Sequence, residues 1–243
     1  MPAPAVYLHA DEVPGAVLAA RHVVPLILEA VGAVQSVVDL GGGTGAWLRT
    51  MQRHGVETVL LIDTPEVEPD LLVDTSNFLA ANLERGFPEV PRFDLAVCVE
   101  VAEHLQAERA EPLVEWLTST ADRVVFSAAL PGQHGKGHVH LQPPGYWAGL
   151  FAARGFVRRD VLRGRLIQED EVPFWYRQNL LVYTREPALV ASTEPDFLPG
   201  DFVLVHETNA AMVPPAPPVG VGTLVRMVGP AVAYSVRKWL GRG

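Results

Sequence analysis

The residue types that can do chemistry fall in a few short stretches of the chain. Val37-Val38-Asp39-Leu40-Gly41-Gly42-Gly43-Thr44-Gly45-Ala46-Trp47 is an apolar run that meets an acid and then a glycine turn, with the spacing Asp-x-Gly-x-Gly-x-Gly. Glycine tolerates positive φ and close backbone approach, and such a turn before a helix is how a parallel α/β sheet holds a nucleotide-like ligand. Gly41, Gly43 and Ala46 also satisfy Gly-x-Gly-x-x-Gly/Ala. Asp63 lies about twenty residues on, where that dinucleotide fingerprint expects a ribose-binding acid. The glycines alone therefore leave NAD and other adenosine ligands open. Further acids, Asp74 and Glu100, close apolar runs, and His104 follows in Glu100-Val101-Ala102-Glu103-His104-Leu105. The polar loop Gly132-Gln133-His134-Gly135-Lys136-Gly137-His138-Val139-His140 holds three of the eight histidines. A neutral imidazole has the pKa for proton removal near neutral pH. His134, His138 and His140 could also group around a metal through the His-x-His pair. No carboxylate lies in that loop, so no metal is expected.

Positioning these residues calls for alternating strands and helices. Apolar spacing predicts a helix over Val17–Val31, a strand over Ser36–Leu40, a helix over Ala46–His54 and a strand over Thr58–Asp63. A short third strand is read at Leu71–Asp74, followed by a polar turn and weak helix through Leu83. A doubly buried strand is read at Phe93–Val99, a helix at Ala107–Thr118 and a strand at Arg123–Ala128. A helix within Pro143–Arg154 precedes two last strands, Phe156–Leu162 and Asn179–Thr184. Continuous apolar strands alternating with helices imply an α/β fold: a Rossmann-like, seven-stranded, mostly parallel sheet with helices on both faces. The last two strands lack a long helical crossover and fit an antiparallel hairpin at one edge.

Composition bounds the function. With 243 residues and 49% hydrophobic content, the chain can bury one substantial core. The single cysteine, Cys98, sits in the apolar run Leu95–Val99, which excludes a disulfide framework and reads as a small buried hydrophobe in a reducing compartment. A formal charge of −9 argues against nucleic acid as a partner. The Met1-Pro2-Ala3-Pro4 start resembles no leader and no run reaches a membrane span, so a cytoplasmic protein without integral membrane association is expected.

Five segments occur in an order that carries a family resemblance: Asp39-x-Gly-x-Gly-x-Gly; Phe93-Asp94-Leu95 leading to Glu100–Leu105; Phe126-Ser127-Ala128-Ala129-Leu130-Pro131-Gly132-Gln133; Pro143-Pro144-Gly145-Tyr146-Trp147; and Trp175-Tyr176-Arg177-Gln178-Asn179. Together they resemble the class I S-adenosylmethionine-dependent methyltransferases, in particular the FkbM-like and related small-molecule enzymes of bacterial biosynthetic clusters. The resemblance implies S-adenosyl-L-methionine as cofactor and a small-molecule acceptor, such as a sugar-bearing or polyketide intermediate. It implies that Asp39, Gly41, Gly43 and Gly45 hold the amino-acid end of the cofactor. Asp63 would take the ribose hydroxyls, Asp74 the adenine amino group, and Glu100 would face the methionine portion. Methyl transfer then needs alignment, exclusion of water and, for a hydroxyl acceptor, a base. His138 is the candidate, with His104 behind it. An NAD-dependent oxidoreductase lacks a hydride-chemistry motif here, and a non-catalytic cofactor-binding module is the third reading. Tyr146, Trp147, Phe174, Trp175 and Tyr176 are candidates for the acceptor wall, with core packing expected for Trp147. Arg177 is expected to pair with the acidic stretch Gln168–Glu171.

The alternation stops at Glu186. The expected organisation is a methyltransferase domain over residues 1–185, then a Pro-rich connector and C-terminal tail over 186–243. Val221–Leu240 reads as an amphipathic segment that docks on its own domain, on a second copy in a homodimer or on a membrane surface.

Overall fold

A computed structural model describes residues 13–133, 135–167 and 169–185. The connector and the amphipathic segment of the tail lie outside the described residues, as does His134. Helix α1 spans Val13–Val31, strand β1 Ser36–Leu40, α2 Ala46–Arg53 and β2 Thr58–Asp63. Strand β3 spans Phe78–Ala80, β4 Leu95–Val99, α3 Ala110–Thr120, β5 Arg123–Ser127 and α4 Pro144–Ala152. Strand β6 spans Phe156–Arg159, α5 Arg163–Leu166, α6 Phe174–Asn179 and β7 Leu181–Arg185.

The seven strands form one sheet in the order β3-β2-β1-β4-β5-β7-β6. Strands β3, β2, β1, β4 and β5 pair in parallel, while β7 is antiparallel to both β5 and β6. The antiparallel edge pair is thus present, but α5 and α6 lie between β6 and β7, so no tight hairpin turn joins them. Alternate residues of each strand serve opposite faces, as the pleat requires. Val37, Leu61, Leu95, Val97 and Val125 join the core under α1 and α2. Val38, Ile62, Ala96, Cys98, Val124 and Phe126 join the one under α3 and α4. Cys98 is fully buried, and burial pushes its thiol well above the usual range, as the hydrophobe reading expects.

The third strand corrects the sequence expectation. Leu71–Asp74 is not in the sheet; Phe78–Ala80 pairs with Leu61–Asp63 instead. The apolar run at 71–73 has another use. The Leu72 amide donates to the Thr44 carbonyl at 2.8 Å, and the Leu72 carbonyl accepts from Arg49 Nη1 at 2.8 Å. Val73 is buried in the core beside Gly45. The segment therefore lies across the glycine turn, and both backbone groups of Leu72 are satisfied without a strand ladder.

The segment between β6 and β7 is anchored by a charge pair that the sequence pattern does not announce. Arg163 and Asp160 are 1% and 2% exposed. Arg163 Nε donates to Asp160 Oδ1 at 2.8 Å, Nη2 donates to Oδ2, and Nη1 donates to the Gln178 carbonyl at 3.4 Å. The fork-to-fork geometry satisfies both charges, and removing one partner leaves the other buried alone. Asp160→Ala is expected to destabilise the fold by about 3–5 kcal/mol, read as a lower Tm in thermal unfolding. A Tm unchanged from wild type would contradict this account of the pair.

Candidate active site

Strand order reverses between β1 and β4, and in open α/β sheets ligands bind beyond the carboxyl ends of the strands at such a reversal. The turn after β1 and the segment after β4 meet there. Gly41, Gly43 and Gly45 all have positive φ, at 75°, 57° and 82°. A side chain at Gly41 would place its Cβ 2.5 Å from Val101 Cγ2, so glycine is what lets the turn after β1 pack against the chain leaving β4. Gly42, which the motif spacing leaves unassigned, is needed as well: a Cβ there would stand 2.4 Å from Asp39 Oδ2.

The two acids ending β1 and β2 differ in their surroundings. Asp63 Oδ2 accepts from the Gly43 amide at 2.7 Å, and Oδ1 accepts from the Thr64 amide at 2.6 Å, so β2 holds the glycine turn in place. A carboxylate has about four acceptor sites, which leaves capacity for further donors. Asp39 is 2% exposed, and no described residue hydrogen-bonds its Oδ2. Burial, reinforced by the negative charge of Asp63, pushes its carboxyl up to about 8.

Asp74 does not stand at the end of a strand. It caps the short turn Thr75–Asn77, where Oδ1 accepts from the Ser76 amide at 2.8 Å and from the Ser76 hydroxyl at 2.6 Å. These bonds hold its carboxyl below the usual range. With β3 at Phe78–Ala80, the residues at the carboxyl end of the third strand are Ala81 and Asn82. The Leu71–Val73 run hid this position, because it is the more strand-like of the two segments.

Glu100 leaves β4 with φ +56°, in the left-handed region that a residue with a side chain adopts at a cost of about 1–3 kcal/mol. Its amide meets the Ser127 carbonyl and hydroxyl at 3.1 Å, and its Oε1 accepts from Asn179 Nδ2 at 3.2 Å. Burial raises its carboxyl, against the opposing pull of the Ser127 and Asn179 hydrogen bonds. Glu103 is fully buried, with its carboxyl beside that of Glu100 and near the Ala129 amide and its own, none of them at close hydrogen-bond geometry. Burial and the neighbouring Glu100 push Glu103 well above the usual range.

The histidine loop is fixed to this segment through main-chain bonds. The amides of Val139 and His140 both donate to the Glu103 carbonyl, at 2.8 and 3.1 Å. This brings the His138 ring edge-on to His104, with centroids 4.8 Å apart. His138 Nδ1 lies 2.8 Å from the Gln133 carbonyl, the arrangement of a ring that donates from Nδ1 and leaves Nε2 with a lone pair. The Gln133 side chain accepts from the Leu130 amide at 2.7 Å and from Asn179 Nδ2 at 2.9 Å. One polar chain therefore runs from Glu100 through Asn179 and Gln133 to His138. Of these, Glu103, Gln133 and Asn179 were quoted in motifs without a role. Their helical and loop positions carry no periodic signal that distinguishes them.

His140 is 5% exposed and packs against Tyr146 and Trp147 at 5.5 and 5.6 Å. Burial lowers its basicity. It faces the aromatic cluster at the start of α4 and is not among the residues gathered around His138. Trp147 is 2% exposed and belongs to the core, as its spacing predicts. Phe174, Trp175 and Tyr176 lie on α6, where Tyr176 packs edge-on against Trp47 just after the glycine turn, at 5.4 Å. Arg177 Nη1 donates to Asp170 Oδ1 at 3.1 Å, the expected acidic partner.

Residues 16–123 match a family model described as a methyltransferase domain. Over these residues the chain is therefore similar to a methyltransferase domain. Solved structures share the fold. DesVI from Streptomyces venezuelae is 13% identical, with a TM-score of 0.52, over 74% of this chain and 100% of its own. CalS10, an amino pentose methyltransferase from Micromonospora echinaspora involved in calicheamicin biosynthesis, was solved with S-adenosylmethionine bound. It is 16% identical, with a TM-score of 0.52, over 74% of this chain and 98% of its own. CalO1, a methyltransferase in calicheamicin biosynthesis solved with S-adenosylhomocysteine, is 17% identical with a TM-score of 0.48. The match covers 72% of this chain and 55% of CalO1, so the chain spans about half the length of that neighbour. No protein of curated function matches the sequence. Among the described residues, no helix is long and apolar enough to cross a membrane.

The residues at the crevice fit the cofactor. The unsatisfied Oδ2 of Asp39 is an acceptor suited to an ammonium group, and space lies open beside Gly43. The buried acid has a measurable signature without any ligand. A carboxyl raised by burial contributes stability that is complete below its unfolded value of 3.8 and is lost as pH rises toward about 8. Asp39→Asn keeps the shape and removes the charge. The Tm of the variant relative to wild type is therefore expected to climb between about pH 5 and about pH 8 in thermal unfolding of the cofactor-free protein. Parallel Tm curves for the two proteins would contradict the burial of an ionisable Asp39.

Proposed function

We propose that the chain transfers the methyl group of S-adenosylmethionine to an oxygen or nitrogen of a small molecule, drawn from natural-product intermediates such as sugars or polyketides. The reading rests first on the buried, unsatisfied Asp39 carboxyl beside the glycine turn, an acceptor of the kind that a ligand's ammonium group requires. An acceptor of this class is in keeping with the amino pentose that CalS10 methylates. Asp39 and the turn at Gly41, Gly43 and Gly45 hold the amino-acid end, Asp63 the ribose and Glu100 the methionine portion. Asn82, at the end of β3, takes over the adenine position that the sequence assigns to Asp74.

The sulfonium supplies an already activated methyl group, so the protein's task is alignment, desolvation and removal of a proton. In an O-methylation a C–O bond forms as the S–CH₃ bond breaks, and the sulfur keeps the electron pair. His138, its ring oriented by the Gln133 carbonyl, has an Nε2 lone pair for the acceptor's proton, and His104 packs against it. Trp175 and Val139, 39% and 55% exposed, offer apolar surface on the segments bordering this cluster.

Calorimetric titration with S-adenosylhomocysteine, S-adenosylmethionine and NAD tests the reading. Both sulfur ligands are expected to bind and NAD to give no heat. Asp39→Asn is expected to weaken the sulfur ligands by about 10–100-fold through loss of a charged hydrogen bond. Binding of NAD with no response to either sulfur ligand would overturn the assignment.

A further inference from the structure

Glu103, His104 and His138 each present a ligand atom, and these atoms lie within 4.8 Å of one another. We propose that they form a site for a divalent first-row transition ion, at which an acceptor hydroxyl or vicinal diol binds.

Several features of the cluster serve this use. Donors around an ion at about 2.1 Å stand about 3–4 Å apart, so the three groups close on one with small side-chain adjustments. Glu103 is fully buried beside the Glu100 carboxyl, and two carboxyl groups buried together require a shared proton or a cation between them. His138 has the support that metal-binding imidazoles show: its Nδ1 engages a main-chain carbonyl, which fixes the tautomer and aims Nε2 as the ligand atom. The carbonyl of Glu103 itself holds the histidine loop through Val139 and His140, so one ligand residue fixes the position of another. Gly135 lies so close to the His138 ring that a Cβ would come within 2.4 Å of Nε2, and only glycine leaves the ring where it is.

Two imidazoles and one carboxylate favour Zn²⁺, Fe²⁺ or Co²⁺ over the oxygen-preferring Mg²⁺, and three protein ligands leave positions open for an acceptor. The inference deepens the methyl-transfer reading and rests on it for the ion's role. With the ion in place His138 Nε2 is a ligand and gives up the role of base that it has in the ion-free site; the bound hydroxyl is acidified by the cation and loses its proton to solvent. The alkoxide then takes the methyl group as the S–CH₃ bond breaks.

The test is titration of the chelator-stripped, full-length chain with Co²⁺ alone, followed by visible absorption and by heat, with Mg²⁺ alone as comparator. Wild type is expected to show saturable one-site binding with d–d bands, and Mg²⁺ to bind at least about tenfold more weakly. Glu103→Gln and His104→Ala are each expected to weaken Co²⁺ by about 10-fold or more, and Gly135→Ala to weaken it by displacing the His138 ring. Binding of S-adenosylhomocysteine, measured on the same samples, reports an intact fold. Wild type that binds S-adenosylhomocysteine but gives no Co²⁺ response overturns the metal site and leaves the methyl-transfer reading standing. Co²⁺ binding without any affinity for the sulfur ligand overturns the methyl-transfer reading alone. Equal Co²⁺ affinity in wild type and His104→Ala identifies an adventitious surface site and overturns the proposal.

Discussion

The reversal of strand order between β1 and β4 is the constraint from which the site follows. The chain lays β1 down first, builds outward through β2 to β3, then returns to place β4 on the other side of β1. The crossovers on the two sides leave in opposite directions, so a crevice remains above the carboxyl ends of β1 and β4. Every polar group of interest lies on its rim: Asp39 and the glycine turn on one side, Glu100, Glu103 and His104 on the other. The Gly41–Val101 contact shows how tightly the two are joined. β1 and β4 pair directly, and hydrophobic layers on both faces hold the sheet against its helices.

The crevice concentrates carboxyl groups in surroundings that disfavour their charge. Asp39, Glu100 and Glu103 are all raised, chiefly by burial. Asp63, by contrast, accepts two main-chain amides, and Asp160 is matched to a buried guanidinium. Asp63 and Asp160 are thus satisfied by protein donors, whereas Asp39 Oδ2 meets no donor among the described residues. Such a deficit costs stability and is retained where a ligand makes it good. An ammonium at Asp39 and a cation at Glu103 are the proposed remedies, one on each side of the reversal. The left-handed backbone at Glu100, where β4 ends, stands at the same crevice.

Much of this was legible in the sequence. The strands β1, β2, β4 and β5 are built round continuous apolar runs, and a doubly covered strand can hardly be written otherwise. The glycine turn was readable because close approach permits no other residue. The third strand was not, since Leu71-Leu72-Val73 has the stronger apolar pattern yet spends it on packing over the glycine turn. Phe78–Ala80 is short, half-exposed and at the sheet's edge, so its pairing is set by β2 and not by its own composition. Helices α5 and α6 were hidden for the same reason: each is one or two turns long and held by Asp160, Arg163 and Tyr176 contacts. The grouping of His138 with His104 and Glu103 depends on main-chain bonds between segments more than thirty residues apart. A His-x-His pair is visible as spacing, but the burial of His140 against Tyr146 and Trp147 is a tertiary event that spacing does not encode.

The central claim is that the crevice grips the cofactor through a turn of bare backbone and the acids beside it. A crystal structure of the full chain with S-adenosylhomocysteine tests this most directly. The account predicts the ligand's ammonium against Asp39 Oδ2, its ribose at Asp63 and its sulfur directed toward the Glu100–His138 side. A ligand bound elsewhere, or an Asp39 left without a partner while the ligand occupies the crevice, would contradict it.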